Sequence, residues 1–213
     1  LDITMLHHPV VARTVEALIA DGGGLIAYEQ GMGGREALVA AAAALAARNG
    51  APLTIVESPV LHDDTSATVT KLHPEVRCTV ISAQDAALQP PLSPGSVLAV
   101  HADLLRGPVV REPVLELARA ADHLLVARHD FGDPALDRLA GRTHRLDHQA
   151  YAASANASFE DWAHEFTPGY VPPPTELREA RFVRQAPGNL ANLWDTVFAR
   201  KALLMDQVNL TRP

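Results

Sequence analysis

Four short runs of this chain show no alternation of polar and apolar residues: Leu53–Glu57 (LTIVE), Val76–Ile81 (VRCTVI), Val97–His101 (VLAVH) and His123–Ala127 (HLLVA). A strand with one wet face alternates, whereas a strand covered on both faces reads as a continuous apolar run. Leu25–Ala27 and Thr143–Asp147 are two further strand candidates. Between them lie stretches with the length and composition of helices: Thr14–Ala20, Glu36–Arg48, Ser66–Lys71, Pro113–Ala121 and Pro134–Ala140. Asn49-Gly50 is a good helix stop. Strands and helices alternating in this way predict an α/β fold, with a mainly parallel sheet and helices on both faces. Residues 1–150 are assigned to this core.

The texture changes after Tyr151. Residues 151–213 carry the triple proline Pro172–Pro174, which excludes a helix or central strand there, and isolated aromatics including Trp162, Trp194 and Phe198. An irregular C-terminal arm is expected, with short helices at Phe159–Glu165 and Leu190–Leu204, pinned to the core by its aromatic rings. Trp194 and Phe198 are also the candidate partner-binding residues, since protein interfaces favour aromatic anchors.

The 213 residues include 25 acidic and 18 basic side chains, a net charge of −7. A domain that gripped a nucleic-acid backbone alone would present a basic surface, so nucleic acid is expected to bind only weakly or within an assembly. Arg142, His144, Arg145 and His148 form the one basic strip of note, read as a solvated loop and strand end. No apolar segment approaches the ~20 residues of a membrane span. No leader of the basic-then-apolar kind is visible near Leu1, and Cys78 alone excludes an internal disulfide. Cys78 is expected to be a buried thiol, and the chain to be cytoplasmic.

Between Gly22 and Gly50 an apolar run enters the glycine-rich turn Gly31-Met32-Gly33-Gly34 and leaves it as an alanine-rich helix. This is the layout of a phosphate-binding loop. The lysine and hydroxyl that such a loop uses are absent, because Gly34-Arg35 stands in their place. Glu36 adds a resident carboxylate in the first helical turn, where backbone amides and the helix dipole favour an anion. Arg35 is expected to pair with Glu36 or to face solvent.

The order of segments resembles the first RecA-like lobe of the superfamily 2 helicase-like ATPases, and in particular the SWI/SNF-type DNA translocases. Gly23 to Arg35 (GGLIAYEQGMGGR) is similar to that family's G-G-x-L-A-D-E-M-G-L-G-K-T. Leu53–Pro59 is similar to its V-L-V-V-A-P strand, Lys71–Ile81 to the segment before its third strand, and Val97–Leu105 to its strand ending in T-Y-D-L-L. Ala121–Asp130 is similar to W-D-L-V-V-L-D-E-A-H, and NLWDTVFARKALLMDQV to the passage that leaves the first lobe. The resemblance implies a RecA-like three-layer domain.

The resemblance also shows where the chemistry departs. Gly31, Gly33, Gly34 and Arg35 keep the glycine turn without the lysine and hydroxyl, and Ala127 and Arg128 stand at the acidic-pair positions that would support magnesium and orient water. Asp130 lies beyond the strand end. Val10-Val11 fall where the adenine-reading glutamine would be, and Arg145–Tyr151 replace a threonine-rich motif. The resemblance therefore implies a catalytically degenerate lobe, with no cofactor and no catalytic residues, that works as a protein-interaction or scaffolding module. The alternative is a functional ATP-dependent DNA translocase or helicase lobe with an unusual phosphate loop.

Other chemistries find less support. Ten histidines are present without H-E-x-x-H spacing, and His144 and His148, four apart, do not make a zinc site. Ser58 and Ser82 lack a G-x-S-x-G elbow. A dinucleotide-binding turn would need glycine where Glu36 stands.

Overall fold

The computed structural model describes residues 1–155. Leu1–Leu146 forms one compact unit, and the chain enters a second at Asp147. Within Leu1–Leu146 six strands and five α-helices alternate, and residues 148–155 are again helical. In chain order they are α1 (Pro9–Asp21), β1 (Gly24–Tyr28), α2 (Gly34–Asn49), β2 (Leu53–Val56), α3 (His62–Leu72), β3 (Cys78–Ile81), β4 (Val97–His101), α4 (Pro108–Ala120), β5 (His123–Arg128), α5 (Pro134–Ala140) and β6 (Thr143–Leu146). Every pairing is parallel and the sheet order is β3-β2-β4-β5-β1-β6. The α/β class and the parallel sheet expected from the sequence are both present.

Element ends differ from the expected ones for identifiable reasons. Helix α1 starts at Pro9 rather than Thr14, because proline suits a first helical position and the His8 ring caps the Val10 amide. Helix α3 starts at His62 rather than Ser66, with Asp63 and Asp64 in its first turn, where the dipole favours them. Helix α4 starts at Pro108, so Pro113 lies inside the helix and removes one of its backbone donors. Strand β3 is an edge strand, and Cys78 at its start is half-buried rather than buried. Burial still pushes the Cys78 thiol up to about 11, which keeps it protonated and inert at neutral pH.

Successive strand residues face opposite sides, and the two sides recruit different helices. On one, Leu25, Val56, Leu98, Val100, Leu124 and Val126 pack with Val114, Leu115 and Leu136 of α4 and α5. Arg111 of α4 also pairs with Asp133, the residue that caps α5. On the other side α2 lies against β1, β2, β4 and β5, flanked by α1 and α3. A helix enclosed this way is buried around most of its circumference, and Ala37, Ala40, Ala41, Ala42, Ala43 and Ala46 allow it. Small side chains bring the α2 backbone close to the sheet. Larger ones would hold it off.

The chain enters β1 through Gly22, Gly23 and Gly24, all at positive φ. Gly23 has φ +148°, and a Cβ there would lie 2.5 Å from the Leu124 carbonyl oxygen, so the turn fits against β5 only without a side chain. Gly23→Ala is expected to cost about 2 kcal/mol or more. Urea unfolding followed by circular dichroism measures this as a lower midpoint at unchanged slope.

Candidate functional site

A parallel sheet sends every strand exit out of the same edge, and ligands of such sheets gather at the carboxyl ends, where neighbouring strands leave in opposite directions. Here β1 leads through α2 past β5 and β4 to β2, while β5 leads through α5 past β1 to β6. The exits of β1, β2, β4 and β5 therefore meet around the start of α2.

The glycine turn follows β1. The Met32 amide donates to the Glu29 carbonyl at 3.1 Å, and Gly31 and Gly33 take left-handed conformations with φ +79° and +77°. Gly33 precedes α2, whose N-terminus has no side-chain cap. Gly31 is exposed, but Met32, Gly33 and Gly34 are buried. A Cβ on Gly33 would meet Val11 at 3.0 Å and Met5 at 3.4 Å, so the N-terminal segment covers this part of the turn. Gly34 lies under the Tyr28 ring. A Cβ there would stand 2.6 Å from Tyr28 Cδ2 and nearer still to Cγ and Cδ1. The same ring is tilted 40° to that of His129, at a centroid distance of 5.6 Å. Desolvation, the main influence, pushes the Tyr28 hydroxyl up to about 12 even with Arg35 drawing it down.

Beneath the start of α2 lies a charged group that the sequence reading did not single out. Arg35 does not pair with Glu36, as expected, but with Glu57, the residue after β2. Glu57 is fully buried. Its Oε1 takes the Arg35 guanidinium and, at 2.6 Å, the Ser58 amide. Its Oε2 stands 3.1 Å from Nε2 of His101, the last residue of β4, at ion-pair distance but not aligned as a hydrogen bond. Burial is the largest influence on Glu57 and acts to raise its pKa. His101, the Ser58 amide and Arg35 together overcome it, so the carboxyl titrates below its ordinary range. Arg35 Nε, Glu57 Oε2 and His101 Nε2 are all buried without a hydrogen-bond partner.

The positions assigned to the acidic pair separate. Ala127 pairs with Ile26 on one side and His101 on the other, so it lies in the same row as His101, beside β1. Arg128 instead bonds Asp137 of α5 at 2.6 Å, on the opposite side of the sheet. Asp130 sits in the turn beyond, 2.9 Å from His129 Nδ1. That turn is held by Asp103, whose carboxylate accepts the amides of His129, Asp130 and Phe131 at 2.8, 3.0 and 2.9 Å. Desolvation raises the Asp103 pKa, but the three amides outweigh it and the carboxyl stays below its usual range.

Glu36 is in the first turn of α2 as expected, and its carboxylate accepts the Asp2 amide at 3.1 Å. It ties the N-terminal segment to the helix rather than capping the helix itself. In the basic strip, Arg142 and His144 both reach Asp21, at 3.3 and 3.4 Å, so the Arg142 guanidinium is offset by a carboxylate. Among the described residues no three side chains form a metal-binding group, and no helix is long and apolar enough to cross a membrane. Trp194 and Phe198 lie outside the described residues.

Glu57→Gln removes the buried charge while keeping the side-chain shape. A loss of about 3 kcal/mol at pH 7 is expected, at the low end for breaking a buried pair because Arg35 is one-third exposed and regains water. Since folding lowers the Glu57 pKa, the carboxylate's contribution is full above its ordinary value of 4.5 and is lost as pH falls through the lower folded value. The stability gap between parent and variant should therefore narrow on acidification below 4.5, measured by urea unfolding at a series of pH values.

No protein-family model and no curated protein sequence matches the chain. Among solved structures it is similar to the Hef helicase domain of Pyrococcus furiosus, with a TM-score of 0.50 and 13% identity over 93% of this chain. The match spans 58% of that chain. C. elegans PCH-2 is similar at TM-score 0.38 and 13% identity, over 99% of this chain and 62% of that one, a score too low to establish a common fold. At this identity the likeness to the Hef domain is one of architecture: the chain has a RecA-like α/β fold with a parallel sheet.

Proposed function

We propose that this chain is a SWI/SNF-like lobe that does not hydrolyse nucleotides and serves as a protein-interaction or scaffolding module, within a nucleic-acid-processing assembly. The observation that carries the reading is the filled glycine turn. Phosphoryl transfer needs a lysine on the β- and γ-phosphates, and a hydroxyl and an acidic side chain on magnesium. Here Tyr28 lies over Gly34, where the lysine would emerge, and Arg35, at the hydroxyl position, holds a buried carboxylate in an ion pair. A guanidinium beside Glu57 supplies the positive charge that a bound metal would otherwise bring, and Ala127 offers no carboxylate. The protein partner is assigned to the aromatic C-terminal segment with Trp194 and Phe198.

The competing reading, a working ATPase with an unusual loop, draws support from the uncapped start of α2. A ligand that binds only the folded state stabilises it by RT ln(1 + [L]/Kd), so about 1 mM magnesium-ATP would add over 2 kcal/mol at a Kd of tens of micromolar. No change in melting temperature is expected. Magnesium-dependent hydrolysis by the unmodified chain, lost on substitution within Gly31–Arg35, would establish the ATPase instead.

Duplex DNA gives an independent check. With 25 acidic against 18 basic residues, binding should be weak at low salt and vanish near physiological salt, as fluorescence anisotropy would show. Stoichiometric binding that resists salt would contradict the scaffold reading.

A further inference from the structure

We infer that the connection from β3 to β4 is a binding surface: residues 89–94 (QPPLSP) form a preset polyproline helix on the outside of the fold, for a partner protein with an aromatic-lined groove. The segment lies within Leu1–Leu146, distant in sequence from the glycine turn and from Trp194 and Phe198, and it adds a surface to those already assigned.

Proline fixes its own φ and turns the residue before it toward an extended conformation. Pro90, Pro91 and Pro94 do this to Gln89, Pro90 and Ser93, so only Leu92 of the segment is unconstrained locally. The structure agrees at both ends. The 3-10 helix Gln84–Leu88 gives way at Gln89 to φ −74° and ψ 139°, against about −75° and +145° for a polyproline helix. Beyond the prolines, the Ser96 amide donates to the Ser93 carbonyl at 3.1 Å and Gly95 has φ +79°. Residues 93–96 are therefore a type II turn, with proline and glycine at the two positions that favour them. The Gly95 amide also donates to the Asp122 carboxylate, so the segment is clamped where it ends.

A polyproline helix has three residues per turn and so presents three faces. Burial follows that period. Gln89, Leu92 and Gly95 are half-buried, and Leu92 packs against the core shared with α4 and α5. Pro90, Pro91, Ser93 and Pro94 are exposed, and Leu88, three residues before Pro91, is 80% exposed. One face anchors the segment while the other two carry the prolines outward, with Pro91 and Pro94 in the P-x-x-P spacing that aromatic-lined grooves take up. Because the chain is ordered by its own fold, a partner does not have to order it on binding. Charge narrows the partner further. Residues 86–96 carry none, and the carboxylates that flank them are Asp85 in sequence and Asp122 at Gly95. An acidic pocket would be repelled there, so the groove that fits has a neutral or basic rim.

The test is titration calorimetry of the full chain with purified polyproline-reading modules: WW-type and EVH1-type modules chosen for a neutral or basic groove rim, and an SH3-type module with an acidic pocket. Saturable binding is expected from the first kind and not from the SH3-type module. Pro91→Ala and Pro94→Ala should each weaken it about tenfold, and together abolish it, with the circular dichroism spectrum unchanged. Where the double variant does not fold, Pro91→Glu takes its place, since that position is exposed. Absence of binding by the WW-type and EVH1-type modules overturns the inference, as does binding confined to the SH3-type module or binding that survives in the folded variant. A parent that sediments as a dimer, with the variant a monomer, assigns the surface to a second copy of the chain and overturns it as well. Hydrolysis of magnesium-ATP is read separately and bears on the glycine turn alone.

Discussion

The structure depends on one helix, α2, being buried against the sheet through small side chains. α2 touches four strands and has neighbours on both flanks, and alanine at six of its buried positions sets the separation. That separation fixes how far above the strand ends the helix begins. It brings the Gly34 backbone under Tyr28 and lets Arg35 reach down to Glu57. With leucine at those positions the helix would ride higher, and the arginine would lose its buried partner. The chemistry at the strand ends is thus a consequence of side-chain volume along a helix that carries none of it.

Much of the fold was legible in the residues. The runs LTIVE, VLAVH and HLLVA are strands because a sheet covered on both faces has no position for alternating polar residues, and glycines mark the turn into α2. What escaped was contact between segments far apart in the chain. Glu57 and His101 looked like the polar ends of two strands, and only the parallel register sets them side by side. A signal was present, since each closes an otherwise apolar run at the edge where parallel sheets gather their ligands. Arg35 was expected to pair with its sequence neighbour Glu36 or to face solvent, yet a helix turns adjacent side chains about 100° apart, and Arg35 reaches the buried Glu57 instead. Tyr28 lies one residue past the expected strand Leu25–Ala27 and closes β1, and nothing in its neighbours' identities says that its ring folds back over Gly34.

Likeness of architecture and loss of reactive groups are separable properties of the same backbone. The sheet order, the glycine turn and the helix that follows depend on backbone conformation and on apolar burial, which many sequences satisfy. The reactive groups depend on a few side chains at strand ends, and those change without disturbing the core. At 13% identity to the Hef helicase domain, the shared part is the first kind.

Asp103 gives this edge a mechanical property. One carboxylate at the end of β4 grips three consecutive amides of the turn that follows β5, and that turn presents the His129 ring to Tyr28 at the end of β1. Three strand exits are thereby joined in series, like links of a short chain. A shift of the β4 exit therefore bears on the turn after β5 and, through the His129 ring, on the end of β1.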